Sequence, residues 1–137
     1  MTPILIDTNA YAAYKRNHPD AVQIVGQAPM IGVSTIVLGE LYSGFAGGTR
    51  EAQNRQELAR FLTVSRVRLF VIDPLIAERY AEVSRQLRAA GRPIPTNDMW
   101  IAATALQYGY ALYSYDNHFH AVRGLRVGTS PADFSTP

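Results

Sequence analysis

The sequence predicts a single α/β domain in which a mostly parallel central sheet carries helices on both faces. Short apolar segments of strand character alternate along the chain with segments whose apolar residues recur at helical spacing. Strands separated by helices are typical of a parallel sheet, because parallel neighbours need a crossover connection. A length of 137 residues fits one such domain.

The first half of the chain is predicted to supply two strands and four helices. Pro19 and Asp20 suit the first turn of a helix, and Gly47 with Gly48 suits a helix end. In order, the predicted elements are a strand over 3–6, a helix to residue 14, a helix from about residue 18, a strand over 30–33, a helix capped at residue 34 or 35, and a polar helix capped by residue 49 that runs to about residue 62.

The second half is predicted to add three strands and two helices. Ile76, Tyr80, Val83 and Leu87 share one helical face and indicate a helix buried on that side. The predicted elements are a strand over 67–72, the helix that follows Asp73, a stiff connector over 92–95, a helix capped by residue 96 that runs to about 108, and strands over 111–114 and 125–127. We assign 1–128 to the folded domain and 129–137 to a C-terminal tail.

Composition excludes several classes of protein and site. The chain has no cysteine, which rules out a disulfide framework and a thiolate site and fits a reducing cytoplasm, where we expect the protein to act. The start of the chain reaches Asp7 without a basic segment, so it does not resemble a signal peptide. No run approaches the ~18 apolar residues of a membrane span. A net charge of +2 is only a mild bias toward anionic partners.

Four acidic residues, Asp7, Glu40, Asp98 and Asp116, adjoin apolar segments although they lie far apart in the sequence. Asp7 and Asp116 directly follow predicted strands, so both should lie at the carboxyl edge of the sheet, where parallel-sheet proteins bind ligands. Glu40 lies mid-helix beside Gly44, and Asp98 begins the buried stripe of its helix. Carboxylates gathered at the edge of a core repel one another, and a hard divalent cation relieves that repulsion. The pattern therefore predicts metal-dependent phosphate chemistry.

Each acid also has a structural explanation. An aspartate after a strand often caps the next helix, which fits Asp7, and an acid in the first turn complements the helix dipole, which fits Asp98. A mid-helix Glu40 would by default face solvent, and Asp116 would by default occupy a turn. The sequence alone leaves both explanations open for each residue.

Other catalytic motifs are absent from the sequence. His18, His118 and His120 form no His-x-x-x-His pair, so a zinc site is not predicted. The chain has neither a phosphate-binding Gly-x-x-x-x-Gly-Lys loop nor a Gly-x-Ser-x-Gly nucleophile elbow. A phosphatase would need a second aspartate at position 9, but that residue is Asn9. A receiver domain would need a lysine late in the chain, but the only lysine is Lys15.

The acids stand in longer segments that together carry a family resemblance. These segments are ILIDTN at the start, VSTIVLGELYSG around Glu40, GRPIPTNDMWIAA around Asp98 and LYSYDNHF around Asp116. In this order and spacing they resemble PIN-domain ribonucleases, specifically the VapC toxins of bacterial toxin–antitoxin pairs. The resemblance spans residues 3 to about 128, so that 1–128 would be a PIN-like nuclease domain.

The resemblance implies a toxic Mg²⁺-dependent endoribonuclease that hydrolyses RNA with a metal-activated water at a site of four carboxylates. Asp7, Glu40, Asp98 and Asp116 would hold Mg²⁺, or Mn²⁺ in its place, with Asp7 and Asp98 as the principal ligands. Glu40 or Asp116 would orient the attacking water or accept its proton.

The resemblance also implies supporting residues and partners. Thr8 and Asn9 would support the first acid, and Ser114 stands where the family usually has Thr, which keeps the hydroxyl. The partners would be an RNA substrate, a second copy of the chain in a homodimer, and a small cognate antitoxin whose C-terminal segment lies across the active-site groove.

Two questions stay open at this point. Lys15, Arg16 and Arg92 are candidates for guiding the RNA backbone, because cations near the groove would attract phosphates.

The alternative function is a non-catalytic PIN-fold module that binds RNA or protein. The presence of all four acids argues against that alternative.

Overall fold

The computed structural model describes residues 1–136. Within these residues the chain forms five strands and six α-helices. The strands are β1 (Ile4–Ile6), β2 (Ile31–Ser34), β3 (Val67–Phe70), β4 (Ala111–Tyr113) and β5 (Val127–Gly128). The helices are α1 (Thr8–Lys15), α2 (Pro19–Gln27), α3 (Thr35–Ala46), α4 (Glu51–Leu62), α5 (Pro74–Ala89) and α6 (Thr96–Tyr108), and 3-10 helices cover Asn117–Ala121 and Pro131–Phe134.

The strands form one parallel sheet in the order β3-β2-β1-β4-β5. Every neighbouring pair is parallel, and the central strand β1 places Ile4 opposite Ile31 of β2 on one side and Ala111 of β4 on the other. The predicted α/β domain with a mostly parallel sheet is therefore confirmed, and the sheet is parallel throughout.

Burial along the central strands confirms that helices cover both faces of the sheet. Ile4, Leu5 and Ile6 are all fully buried, as are Leu112 and Tyr113 of β4. Because successive side chains of a strand point to opposite faces, consecutive buried residues require cover on both sides. The edge strand β3, in contrast, leaves its two middle residues exposed.

Most helices begin near the predicted residues, and the differences lie in the caps. The Ser34 hydroxyl accepts a hydrogen bond from the Ile36 amide at the start of α3, as a capping residue does. The predicted cap at Thr49 is wrong, because α4 begins at Glu51 and Arg50 occupies the cap position without a side-chain hydrogen bond.

Residues 129–136, which belong to the predicted C-terminal tail 129–137, pack against the domain through Phe134. Residue 137 lies outside the described residues. Phe134 is fully buried with its ring 5.8 Å from that of Tyr113, and the Thr2 amide donates to the Phe134 carbonyl over 2.9 Å. Gly128 permits this packing, because a side chain there would collide with Asp133 and Phe134. A single buried aromatic in a polar segment explains why the sequence pattern did not reveal the contact.

The carboxyl ends of β1, β2 and β4 lead directly into predicted site residues or into the helix that carries one of them. Asp7 follows β1, Ser34 ends β2 and starts α3, and Ser114 to Asp116 follow β4. Within residues 1–136 no helix has the length and apolar character needed to span a membrane.

Candidate active site

Asp7 is the buried centre of the site. It caps α1, and its Oδ1 accepts a 2.8 Å hydrogen bond from the Thr8 amide. Its Oδ2 accepts a 2.6 Å hydrogen bond from the Ser114 hydroxyl, which joins the end of β1 to the end of β4. The residue is only 5% exposed. The capping role and the buried position therefore coexist in one side chain.

The pKa of Asp7 is raised to about 6, chiefly by burial and to a smaller extent by the negative charges of Glu40 and Asp98. The hydrogen bonds from Ser114 and Thr8 act against that rise, because they favour the ionised carboxylate. A nearby cation would stabilise the ionised form of this buried carboxylate, because it would offset the free-energy cost of burying the charge.

Glu40 points toward the site and not into open solvent. The Thr8 hydroxyl donates to Glu40 Oε1 over 2.6 Å, and the Asn97 amide donates to Oε2 over 3.4 Å. These two contacts tie α3 to the starts of α1 and α6. Gly44 lies one turn later on the same helix, and, its chain neighbours and the helix backbone aside, no other atom lies within 4 Å of the place that a Cβ there would occupy.

Asp98 and Asp116 meet at a third side chain, His118. The imidazole Nδ1 of His118 lies 3.1 Å from Asp98 Oδ2 and 2.9 Å from Asp116 Oδ1. Asp98 comes from the first turn of α6, while the other two residues belong to the turn after β4. One ligand atom from each of the three residues lies within 4.8 Å of the others.

The charged side chains around His118 shift the pKa values of Asp98 and of His118 itself. Burial raises the pKa of Asp98, the charge of Asp116 raises it further, and the hydrogen bond from His118 acts against the rise. The hydrogen bond to Asp98 in turn raises the pKa of His118, and the charge of Asp116 adds to that effect. The imidazole thus does part of what a bound cation would do between the two carboxylates.

His118 is the residue that sequence reasoning missed. The sequence has no helical His-x-x-x-His pair, and His118 reaches the acids through a 3-10 turn that Asp116 caps. The Asp116 side chain accepts a hydrogen bond from the His118 amide over 2.9 Å. A histidine two residues after a strand-end aspartate was the available signal.

Ser114 and Asn9 hold the two strand ends together. The Ser114 hydroxyl, besides donating to Asp7, accepts hydrogen bonds from the Asp116 amide over 3.0 Å and from the Asn9 side chain over 3.5 Å. The side-chain oxygen Oδ1 of Asn9 accepts a hydrogen bond from the Tyr115 amide over 3.1 Å. Both residues therefore support the loop that carries Asp116.

The structure brings the four predicted acids to one edge of the sheet. The charges of Glu40 and Asp98 help to raise the pKa of Asp7. The charges of Glu40 and Asp116 help to raise the pKa of Asp98. Carboxylate oxygens are the ligands that Mg²⁺ and Mn²⁺ prefer, so the donor set fits a divalent cation.

The three basic residues singled out from the sequence lie outside this cluster. Lys15 Nζ lies 3.4 Å from Glu57 Oε2 and forms a surface ion pair. Arg16 and Arg92 are exposed. A role for them in guiding RNA stays a prediction.

Comparison with known proteins gives the family. The PIN domain family matches residues 4–125. Ribonuclease VapC4 of Mycobacterium tuberculosis is 31% identical over 125 residues, covering 91% of this chain and 95% of that protein. The plasmid stability protein StbB of Pseudomonas syringae pv. tomato is 33% identical over 132 residues, with 90% and 95% covered.

Solved structures agree with this match. A chain of VapBC-1 from nontypeable Haemophilus influenzae aligns with a TM-score of 0.77 at 25% identity, covering 92% of this chain and 96% of its own. A chain of FitAcB from Neisseria gonorrhoeae aligns with a TM-score of 0.69 at 26% identity, covering 90% and 95%. The chain belongs to the PIN-domain family and, within it, to the VapC ribonucleases.

Proposed function

We propose that this protein is the toxin of a toxin–antitoxin pair and acts in the cytoplasm as a Mg²⁺- or Mn²⁺-dependent endoribonuclease. The observation that carries the proposal is the convergence of Asp7, Glu40, Asp98 and Asp116 at one sheet edge, with the pKa of the buried Asp7 raised to about 6. Purely structural caps would not need four acids within range of one another's charge. Membership of the VapC ribonucleases supports RNA as the substrate.

The residues divide the work of hydrolysis. Asp7 and Asp98 are the main ligands of the cation, and Ser114 with the Thr8 amide fixes the orientation of the Asp7 carboxylate. When bound, the cation supplies Lewis-acid chemistry, which activates water and neutralises charge on the phosphoryl oxygens. Glu40, held by Thr8 and Asn97, accepts the proton of the attacking water.

The proposal includes two protein partners. One is a small antitoxin that covers the acidic edge of the sheet, and the other is a second copy of the chain. Support comes from the family and from the structural likeness to a chain of VapBC-1. Neither partner is needed to explain the geometry of the carboxylates.

The test is cleavage of structured RNA by the purified full-length chain in Mg²⁺ or Mn²⁺, with and without EDTA. We expect cleavage that EDTA abolishes and that Asp98→Asn loses. Asp73→Asn serves as the matched control, because Asp73 is also a helix cap but lies apart from the four acids. Cleavage that survives both EDTA and Asp98→Asn would rule out the proposed mechanism. Normal cation binding without cleavage of any RNA would favour the non-catalytic binding module.

A further inference from the structure

We infer that His118 is a nitrogen ligand of the cation, together with Asp98 and Asp116, and that this donor set makes the site prefer Mn²⁺ to Mg²⁺. The inference rests on the proposed function and adds to it a residue and an ion preference. It concerns a histidine that a site of four carboxylates does not require.

The distances between the three side chains fit ligands of one ion. His118 Nδ1 lies 3.1 Å from Asp98 Oδ2 and 2.9 Å from Asp116 Oδ1. Two ligand atoms at right angles on a cation with bonds of about 2.1 Å are about 3.0 Å apart. The imidazole nitrogen lies at hydrogen-bonding distance from both acids, and adjacent ligands of an octahedral ion have the same separation.

Backbone structure holds the imidazole at this place. Residue 118 lies in the second position of the 3-10 helix Asn117–Ala121, directly after the strand end that carries Ser114 and Asp116. Its side chain remains 51% exposed, whereas that of Asp98 is 13% exposed. His118 thus approaches the acids from the solvent side, where an ion would enter.

The chemistry of the donors sets the ion preference. Mg²⁺ binds oxygen ligands and retains several waters, whereas transition-metal ions accept imidazole readily. Replacing one oxygen donor by nitrogen therefore raises the affinity for Mn²⁺ relative to Mg²⁺. A site of carboxylates alone would lack this contribution from a nitrogen ligand.

His120 provides a matched control on the same turn. It is exposed, lies two residues further along the 3-10 helix, and makes no ion pair or side-chain hydrogen bond within residues 1–136. His118→Ala and His120→Ala remove the same group from the same exposed segment. Melting temperatures of both variants check that each one folds, and neither residue belongs to the core.

The experiment is pulsed electron paramagnetic resonance of Mn²⁺ bound to the full-length chain, combined with calorimetric titration of Mn²⁺ and Mg²⁺. We expect a ¹⁴N coupling from one histidine in the wild type and in His120→Ala, and its loss in His118→Ala. The dissociation constant for Mn²⁺ should rise about tenfold or more in His118→Ala. The constant for Mg²⁺ should change several-fold less.

The possible results separate the inference from the proposed function. Mn²⁺ that binds the wild type and depends on Asp98, but shows no nitrogen coupling, would overturn the inference and leave the metal-dependent nuclease intact. Equal losses of Mn²⁺ and Mg²⁺ affinity in His118→Ala would overturn the ion preference. Absence of any Mn²⁺ or Mg²⁺ binding to the wild type would overturn the proposed metal site, and the inference with it.

Discussion

Asp7 and Asp73 occupy similar places in the chain but opposite electrostatic environments. Each follows a strand of the same sheet and caps the next helix with a 2.8 Å hydrogen bond from a backbone amide. Each also accepts a hydroxyl hydrogen bond, from Ser114 to Asp7 over 2.6 Å and from Tyr108 to Asp73 over 2.5 Å. Burial nevertheless raises the pKa of Asp7 to about 6, whereas the Tyr108 hydrogen bond lowers the pKa of Asp73.

The difference comes from the surroundings and not from the local motif. Asp7 is buried and lies near the charges of Glu40 and Asp98. Asp73 has none of these acids among the groups that shift its pKa. A helix-capping aspartate therefore has a lowered pKa in one place and a raised pKa in the other.

The largest expected contrast is catalytic. Asp7→Asn should lower the rate of RNA cleavage by at least about 10²-fold, because the amide carries no charge for a cation. Asp73→Asn should leave the rate within about twofold, as a surface substitution remote from the chemistry. Cleavage rates of both variants at saturating Mn²⁺ test this contrast, and a comparable loss in Asp73→Asn would break it.

A second contrast concerns stabilisation by cations. Mn²⁺ at about 100 times its dissociation constant should stabilise the wild type by about 2.7 kcal/mol, because it binds only the folded chain. Thermal denaturation should show the same gain in Asp73→Asn and a much smaller one in Asp98→Asn. An undiminished gain in Asp98→Asn would place the bound ion elsewhere.

The third contrast concerns the stability of the chain without a bound cation. The rise of the Asp7 pKa from 3.8 to about 6 lowers the free energy of unfolding at neutral pH by about 3 kcal/mol. Asp7→Asn should remove part of this destabilisation, although it also weakens the hydrogen bond from Ser114. The net gain in the free energy of unfolding in EDTA should be about 1–2 kcal/mol.

The pH dependence of this gain has a definite sign. A folded-state pKa above the unfolded value means that the ionised acid opposes folding above about pH 6, and that this opposition disappears as the pH falls below 3.8. The gain from Asp7→Asn should therefore be full at pH 7.5 and absent near pH 3.5. Urea denaturation at the two pH values measures it, and a destabilised variant at pH 7.5 would contradict the assignment.

The smallest effect is expected from Tyr108→Phe. This change removes the hydroxyl that lowers the pKa of Asp73. The stabilising contribution of a lowered acid pKa is present above the unfolded value and is lost as the pH falls through the folded one. The variant should therefore melt slightly below the wild type at pH 7 but not in acid, and it should cleave RNA at the wild-type rate.

The part of the site that lies on strands could be predicted from the sequence. Asp7 and Asp116 follow apolar strands separated by helices, and this alternation alone places both at the carboxyl edge of a parallel sheet. The same alternation gave the sheet and the helices on both faces. The roles of the acids as ligands remain predictions.

The rest depends on contacts that no local pattern encodes. Glu40 turns inward because Thr8 and Asn97, from two other helices, donate to it. His118 joins the acids through the geometry of a short 3-10 turn, and Phe134 is buried through a single contact surface beside Gly128. Helical periodicity reports which face is apolar, but not which distant side chain will meet a polar one.

The position of β1 between β2 and β4 makes the candidate site depend on residues from both ends of the chain. The Asp7–Ser114 hydrogen bond joins residues 107 positions apart, and Ile4 pairs with Ala111 across the same interval. Such distant pairings form late, since the chain must close a long loop before they stabilise it. A growing chain that ends before β4 already contains Asp7, Glu40 and Asp98, but it lacks the strand and the hydroxyl that hold Asp7 in place. The unfinished chain therefore lacks part of the candidate site, including Ser114 and Asp116.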